Sequence, residues 1–242
     1  MDLMGSCPCF FKLTTLADLN SNTKKFLRKL IFLKQTKMKE QIITTLFLDI
    51  GGVLLSNGWD HEARRKAVSH FKLDSAELEE RHHLTFDIYE EGKLTLHEYL
   101  KQIVFYQKRE FLENDFIEFM LKQSSAYQDT IDYFKKLKQL YSLKVIAVNN
   151  EGKELNEYRI RKYKLNTLFD AFVSSAFVHF RKPDADIFRM AINISQTGLE
   201  NAIYIDDRLM FVEVAQSLGL NGIHHENLDK TKNQLEKFNL ML

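Results

Sequence analysis

Asp49, Asn149-Asn150, Arg181-Lys182-Pro183-Asp184 and Asp206-Asp207 are the residues whose types and placement suggest chemistry. Three of these groups stand at the carboxyl ends of short apolar runs, 45–50, 143–148 and 202–205. Such runs read as strands of a parallel sheet buried on both faces, and in that sheet their ends converge on one edge. Three carboxylates meeting there repel one another unless a cation or Lys182 compensates. Carboxylate oxygens and water are the ligands Mg²⁺ prefers, and Mg²⁺ commonly keeps positions open for a phosphate. The residues on their own predict a Mg²⁺ site that handles a phosphorylated ligand. Gly51-Gly52 follows the first run, where the backbone can turn tightly or approach that ligand.

The elements that position these residues follow from periodicity. Strand-like runs at 45–50, 143–148, 171–173 and 202–205 alternate with helical patterns at 152–163, 184–194 and 209–218. That alternation predicts βαβ units and a doubly wound, Rossmann-like α/β fold. Pro183 falls where the first turn of its helix tolerates proline. Between the first two runs the sequence carries no strand signal and four helical patterns, 60–71, 75–89, 95–107 and 113–121, with Glu91-Gly92-Lys93 as a turn. Residues 128–140 form the helix that returns to the sheet. A crossover needs only about a dozen residues, so the excess is a helical cap inserted over the strand ends. The expected division is a core of 41–55 and 126–242, a cap of 56–125 and a basic extension of 1–40.

Composition narrows the classes. Hydrophobic residues at 45% and charged residues at 28% fit a globular chain and exclude a disordered or fibrous one. A net charge of +1 argues against an electrostatic nucleic-acid binder. No apolar run approaches the roughly 18 residues of a membrane span. Cys7 and Cys9 are the only cysteines, so a reducing cytoplasm is the expected compartment, and Cys-Pro-Cys alone offers too few ligands for a closed metal site. Residues 1–40 hold a basic amphipathic pattern, and Met38 stands as an alternative start just before the first strand. His82-His83 and His224-His225 are adjacent rather than one helical turn apart, which disfavours shared metal ligation.

Taken in order, Phe47-Leu48-Asp49-Ile50-Gly51-Gly52-Val53-Leu54, Val148-Asn149-Asn150, Arg181-Lys182-Pro183-Asp184 and Tyr204-Ile205-Asp206-Asp207 resemble the motifs of the haloacid dehalogenase superfamily of hydrolases. The resemblance runs from about Thr44 to Asn221 and is to the subgroup with a helical cap after the first strand. It implies that Asp49 is a nucleophile forming an aspartyl-phosphate. It implies a Mg²⁺ held by Asp49, the Gly51 carbonyl and Asp207, with Asp206 reaching it directly or through water. Lys182 would neutralise the nucleophile and a phosphate oxygen. Asn149 would hydrogen-bond another phosphate oxygen, with Asn150, Gly51 and Gly52 beside the substrate, a small phosphorylated metabolite.

Three departures from the family pattern bear on activity. Gly51 stands where phosphatases of the superfamily carry an acid–base Asp, a loss worth about 10²–10⁴-fold in rate. Asn149 replaces a Ser or Thr, and Phe211 replaces an Asn that follows the acidic pair. Two alternatives therefore stand beside the phosphatase reading: a binding homologue that has lost turnover, and a metal-independent dehalogenase. In the cap, Trp59, His61, Arg64 and Arg65 could grip an organic phosphate, and the ten Phe and Tyr residues from Phe71 to Tyr127 are expected to pack the cap helices together.

Overall fold

The computed structural model describes residues 42–242; the basic extension, with Cys7, Cys9 and Met38, lies outside the described residues. Five strands, β1 (Thr45–Leu48), β2 (Lys144–Asn149), β3 (Ala171–Ser174), β4 (Ala202–Asp206) and β5 (Asn221–His224), form one parallel sheet in the order β3-β2-β1-β4-β5. The chain moves outward from β1 through β2 to β3, then crosses to the other side of β1 for β4 and β5. That reversal opens a crevice at the carboxyl ends of β1 and its neighbours.

Side-chain alternation divides the core into two layers. Leu46, Leu48, Val145, Ala147, Ile203 and Ile205 pack on one face against Ile131, Phe134 and Leu137 of α5 (Gln128–Tyr141). Phe47, Ile146, Val148 and Tyr204 pack on the other. There they meet Ile187, Phe188 and Ala191 of α8 (Ala185–Ser195) and Val212 and Ala215 of α9 (Leu209–Ser217). Helices on both faces require strands that are apolar throughout, which is why the runs are continuous rather than alternating. β5 is absent from the sequence-based expectation because it opens on Asn221-Gly222, a turn signal. It is an edge strand paired only to β4, and Ile223 is its one fully buried side chain.

The stretch between β1 and α5 forms four helices, α1 (His61–Phe71), α2 (Ser75–Glu90), α3 (Leu96–Ile103) and α4 (Glu113–Leu121). Polar caps start three of them: Asp60 accepts from Ala63 N, Asp74 from Glu77 N, and Thr95 forms a capping box with Glu98. α3 ends at Ile103, short of the expected 107. The insertion has its own apolar cluster, in which Phe116 touches the rings of Trp59, Phe71, Phe105 and Phe111. It is seated on the sheet unit by polar contacts. Ser175 Oγ, in the short helix α7 (Ser175–Val178), donates to Glu90 O at 2.6 Å. Leu96 N donates at 3.0 Å to Glu154 of α6 (Lys153–Lys162). Gly92 takes φ 70° directly against the Ala176 carbonyl, where a Cβ would collide. Pro183 lies before the Asp184 cap of α8 rather than inside its first turn.

Phe116 joins α1, α4 and the α3–α4 connection, so its removal should weaken the insertion as a unit. Phe116→Ala is expected to lower stability by about 3–5 kcal/mol, read as a drop in the urea midpoint by far-UV circular dichroism.

Candidate active site

Asp49 follows β1 immediately, its N–H bonded to Ile205 O at 2.9 Å as though the strand continued. Its side chain is 7% exposed, and Oδ1 accepts from Ile50 N at 2.8 Å. Lys182, 1% exposed, places Nζ 3.1 Å from Asp49 Oδ1 and 2.6 Å from Asp206 Oδ2. One ligand oxygen from each of Asp49, Asp206 and Asp207 falls within a sphere of contacts no wider than 4.8 Å. The strand ends therefore bring together the carboxylates and the lysine, as their positions at the ends of apolar runs suggest.

The electrostatics of this cluster are unbalanced. Burial pushes the Asp49 carboxyl up to about 7, Lys182 pulls it back down, and Asp206 and Asp207 add to the rise. Burial also raises Asp206, but Lys182 and hydrogen bonds from Lys182, Tyr204 and Arg208 N outweigh it and hold that group low. Burial and the neighbouring Asp206 raise Asp207. Lys182 stays charged because Asp206 and Asp49 overcome its own desolvation. One ammonium thus faces three carboxylates, and the excess negative charge is what a hard cation relieves. The donor set, all oxygen, fits Mg²⁺.

Several expected residues are placed differently from one another. Asp206 already accepts from Lys182 Nζ, the Tyr204 hydroxyl and Arg208 N, so Asp49 and Asp207 have more lone pairs to offer a cation. Gly52 takes φ 74°, and a Cβ there would run into the Asp207 carboxylate; its N–H donates to Leu55 O at 2.7 Å. It permits the close approach of Asp207. Asn149 turns inward, accepting from Ser174 Oγ at 2.7 Å and donating to Asn156 Oδ1 at 3.1 Å. Asn150 lines the cavity, but its amide clasps the backbone of Lys182, donating to its carbonyl and accepting from its N–H, both at 2.8 Å. Asn150 therefore fixes the loop that delivers Lys182. Phe211, in place of the polar residue of the pattern, puts its ring 5.0 Å from Lys182 Nζ, a cation–π contact in a buried setting.

A cavity of about 330 Å³ opens over Asp49 and Gly51 and extends under the insertion. Trp59, His61 and Arg64 line it, while Arg65 pairs with Glu62 on the exposed face of α1. Arg64 is buried, bidentate on Glu79 and bonded to Trp59 O. Three further features were not evident in the sequence. The Trp59 indole donates to the Tyr99 hydroxyl at 3.0 Å, which meets His82 Nδ1 at 2.6 Å, and burial holds His82 neutral down to about 4. Arg159 and Glu151 form a buried ion pair at the foot of α6, with Arg159 Nη2 also donating to Ser56 O at 2.7 Å. Arg181 bonds to Asp87 and Glu90 of α2, so the residue next to Lys182 grips the insertion. Apart from Glu151 and Arg159, eight residues apart, these partners are distant in sequence, and no local pattern signals them. His224 and His225 bond to Asp207 O and Thr231 Oγ1.

Comparison with known proteins agrees with this geometry. A drimenol cyclase of Aspergillus calidoustus is 30% identical over 80% of this chain and 36% of its own length. A sesquiterpene phosphatase of Aspergillus oryzae is 35% identical over 33% of this chain and 40% of its own length. The chain thus spans well under half the length of these curated relatives. Among solved structures, a HAD family enzyme of Bacteroides thetaiotaomicron in complex with magnesium and inorganic phosphate superposes with a TM-score of 0.66. That match has 19% identity and covers 78% of this chain and 98% of the other, a likeness of fold. The family described as haloacid dehalogenase-like hydrolase matches residues 62–224, two-thirds of the sequence, and this chain, with its parallel sheet and its carboxylates gathered around Lys182, belongs to it.

Proposed function

We propose that the protein is a Mg²⁺-dependent phosphatase acting on a small organic phosphate, a phosphomonoester in the simplest case, through an aspartyl-phosphate on Asp49. The observation that carries this reading is the buried Lys182 ammonium between Asp49 and Asp206, beside a third carboxylate and under a closed-over cavity. An ammonium 3.1 Å from Asp49 Oδ1 opposes the rise that burial gives this carboxyl, favours its ionised, nucleophilic form and remains to meet the incoming phosphoryl oxygens. A phosphatase among the relatives and a phosphate-bound structural neighbour support the reading. In this reading residues 56–125 act as the cap, and the protein works in the cytoplasm.

Asp49, Asp207 and the Gly51 carbonyl would hold Mg²⁺, with Asp206 beside them. The ion would offset charge on the transferring group and keep it in line. The chain's own residues supply the rest. Asn150 keeps Lys182 in place, Asp206 fixes its ammonium, and residues of the insertion line the cavity.

Asp49→Asn is nearly isosteric and removes the nucleophile. Phosphate release from p-nitrophenyl phosphate should fall by orders of magnitude with an unchanged circular dichroism spectrum. Activity within a few-fold of the parent would refute covalent catalysis by Asp49.

Cation binding to the carboxylates should also register as stability. Mg²⁺ at about 100 times its Kd adds about 2.7 kcal/mol, which raises the melting temperature by roughly 5–10 °C for a domain of this size. Asp207→Asn should remove most of that shift. An equal shift in the variant would place the ion elsewhere.

A further inference from the structure

The substrate class can be narrowed from what occupies the space beside Gly51. A Cβ built on Gly51 would lie 2.8 Å from Asn57 Oδ1 and 3.8 Å from Arg159 Nη2, both side chains of the cavity wall. Where an acid–base carboxyl would project, the chain instead presents an amide and a guanidinium. Neither releases a proton near neutral pH. Arg159 is 2% exposed and held from two sides, by Glu151 and by Ser56 O, so it is a fixed positive charge. Three other carboxyls line the cavity, and each is engaged: Glu90 is paired with Arg181, Glu151 with Arg159, and Asp60 accepts from Ala63 N as the cap of α1. Burial raises Glu90 and pushes Glu151 up to about 7, yet protonating either would leave its buried or half-buried guanidinium without a counter-ion.

A second observation concerns the remaining cations. Arg64, Arg159, Arg181 and Lys182 line the cavity and each is ion-paired. Arg208 also lines it, is exposed, and has no carboxylate within ion-pair distance among the described residues. Its guanidinium lies over the Phe211 ring at 5.7 Å and, without a carboxylate in ion-pair contact, is suited to a second phosphate.

Resting on the phosphatase reading above, we infer that the protein removes the terminal phosphoryl group of an organic diphosphate, a phosphoanhydride, in preference to an alkyl monophosphate. In the first step an Asp49 carboxylate oxygen bonds to the terminal phosphorus and the bond from phosphorus to the bridging oxygen breaks. The electron pair leaves with that oxygen, as an organic phosphate dianion. Water then cleaves the aspartyl-phosphate, restoring Asp49 and releasing inorganic phosphate, with its proton passing to phosphate or solvent. A phosphate ester has a second pKa of about 6, so it departs without a proton. An alkoxide, nearly as basic as hydroxide, needs one. Fixed charge from Arg159 stabilises the first kind of leaving group and does not rescue the second.

The test compares n-butyl diphosphate with n-butyl phosphate, with Mg²⁺ and the full chain, and p-nitrophenyl phosphate as a control that needs no proton donor. The expected result is a kcat/KM for the diphosphate about 100-fold or more above that for the monophosphate, the loss typical of a missing general acid. One n-butyl phosphate should accumulate per phosphate released. If p-nitrophenyl phosphate is hydrolysed while the two butyl compounds react alike, or neither reacts, the diphosphate inference is overturned and the phosphatase reading stands. If all three are inert, the phosphatase reading itself fails. A second measurement restores the acid: Gly51→Asp combined with Asn57→Gly, which clears the 2.8 Å contact. With its fold intact by circular dichroism, this variant should gain about 10-fold or more on n-butyl phosphate and change little on the diphosphate. An equal gain on both, or none, overturns the inference. The wild-type comparison decides alone if the variant does not fold. Glu151→Gln, Asp60→Asn and His61→Gln guard the remaining routes, since selective loss of n-butyl phosphate turnover in any one of them would identify an acid and overturn the inference.

Discussion

A lysine ammonium with 1% exposure is the constraint around which the rest of this protein is arranged. Burying that charge unpaired costs several kcal/mol, so carboxylates must reach it from separate places in the chain. Asp49 comes from the end of β1 and Asp206 from the end of β4, and the two strands are neighbours because the sheet reverses direction at β1. Asn150, at the end of β2 on the other side, closes the arrangement by holding the Lys182 backbone through both of its polar groups. Phe211 and Tyr204 complete the surround with ring faces rather than further polar atoms. The site exists because two adjacent strand ends each contribute a carboxylate to a single ammonium and a third holds that lysine's backbone.

The same loop ties the insertion to the chemistry. Arg181 precedes Lys182 and spans to Asp87 and Glu90 near the end of α2, while stacking its guanidinium on Phe86 at 4.9 Å. Burial raises Glu90, and Arg181 opposes that rise by charge and by hydrogen bond. A shift of α2 would therefore disturb the residue next to the buried lysine. On the opposite wall, Glu151 and Arg159 tie the foot of α6 to Ser56, in the segment that leads into the insertion. Two buried or half-buried ion pairs, one on each connection, give the insertion a defined position over Asp49. Ion pairs with low exposure are demanding of geometry, which suits a wall that must place an organic group relative to a fixed nucleophile.

How much of this was legible in the sequence depends on whether a signal is local. Strands β1 to β4 were readable because burial leaves continuous apolar runs, and Asp49 and Asp206 stand out as charges that end such runs. β5 was not, since an edge strand needs only one buried side chain and Asn221-Gly222 reads as a turn. The helices of the insertion were placed within a few residues because Asp60, Asp74 and Thr95 mark their starts. The division of labour between Asn149 and Asn150 was beyond local reading. Adjacent residues leaving a strand point in opposite directions, and only the neighbouring Ser174 and Asn156 determine which one faces the core. The Arg181–Glu90 and Trp59–Tyr99–His82 contacts join residues many positions apart and leave no periodic trace.

Gly51 and Gly52 are neighbours with different reasons for being glycine. Gly52 has a positive φ and stands against Asp207, so any side chain there would displace a carboxylate of the site; its identity is dictated by backbone and packing. Gly51 has no such backbone requirement, and the nearest obstacle to a side chain is the end of Asn57, a group able to rotate away. Steric need therefore does not account for Gly51. What distinguishes its surroundings is charge: Arg159, pinned between Glu151 and Ser56 O, presents a guanidinium to the space where a carboxyl would otherwise sit. A carboxyl placed there would offset part of that positive charge and leave less of it for a departing anion. The loss of the acid and the presence of Arg159 are thus physically consistent with each other, because a wall built around a fixed positive charge favours departure of an anion over protonation of a leaving oxygen.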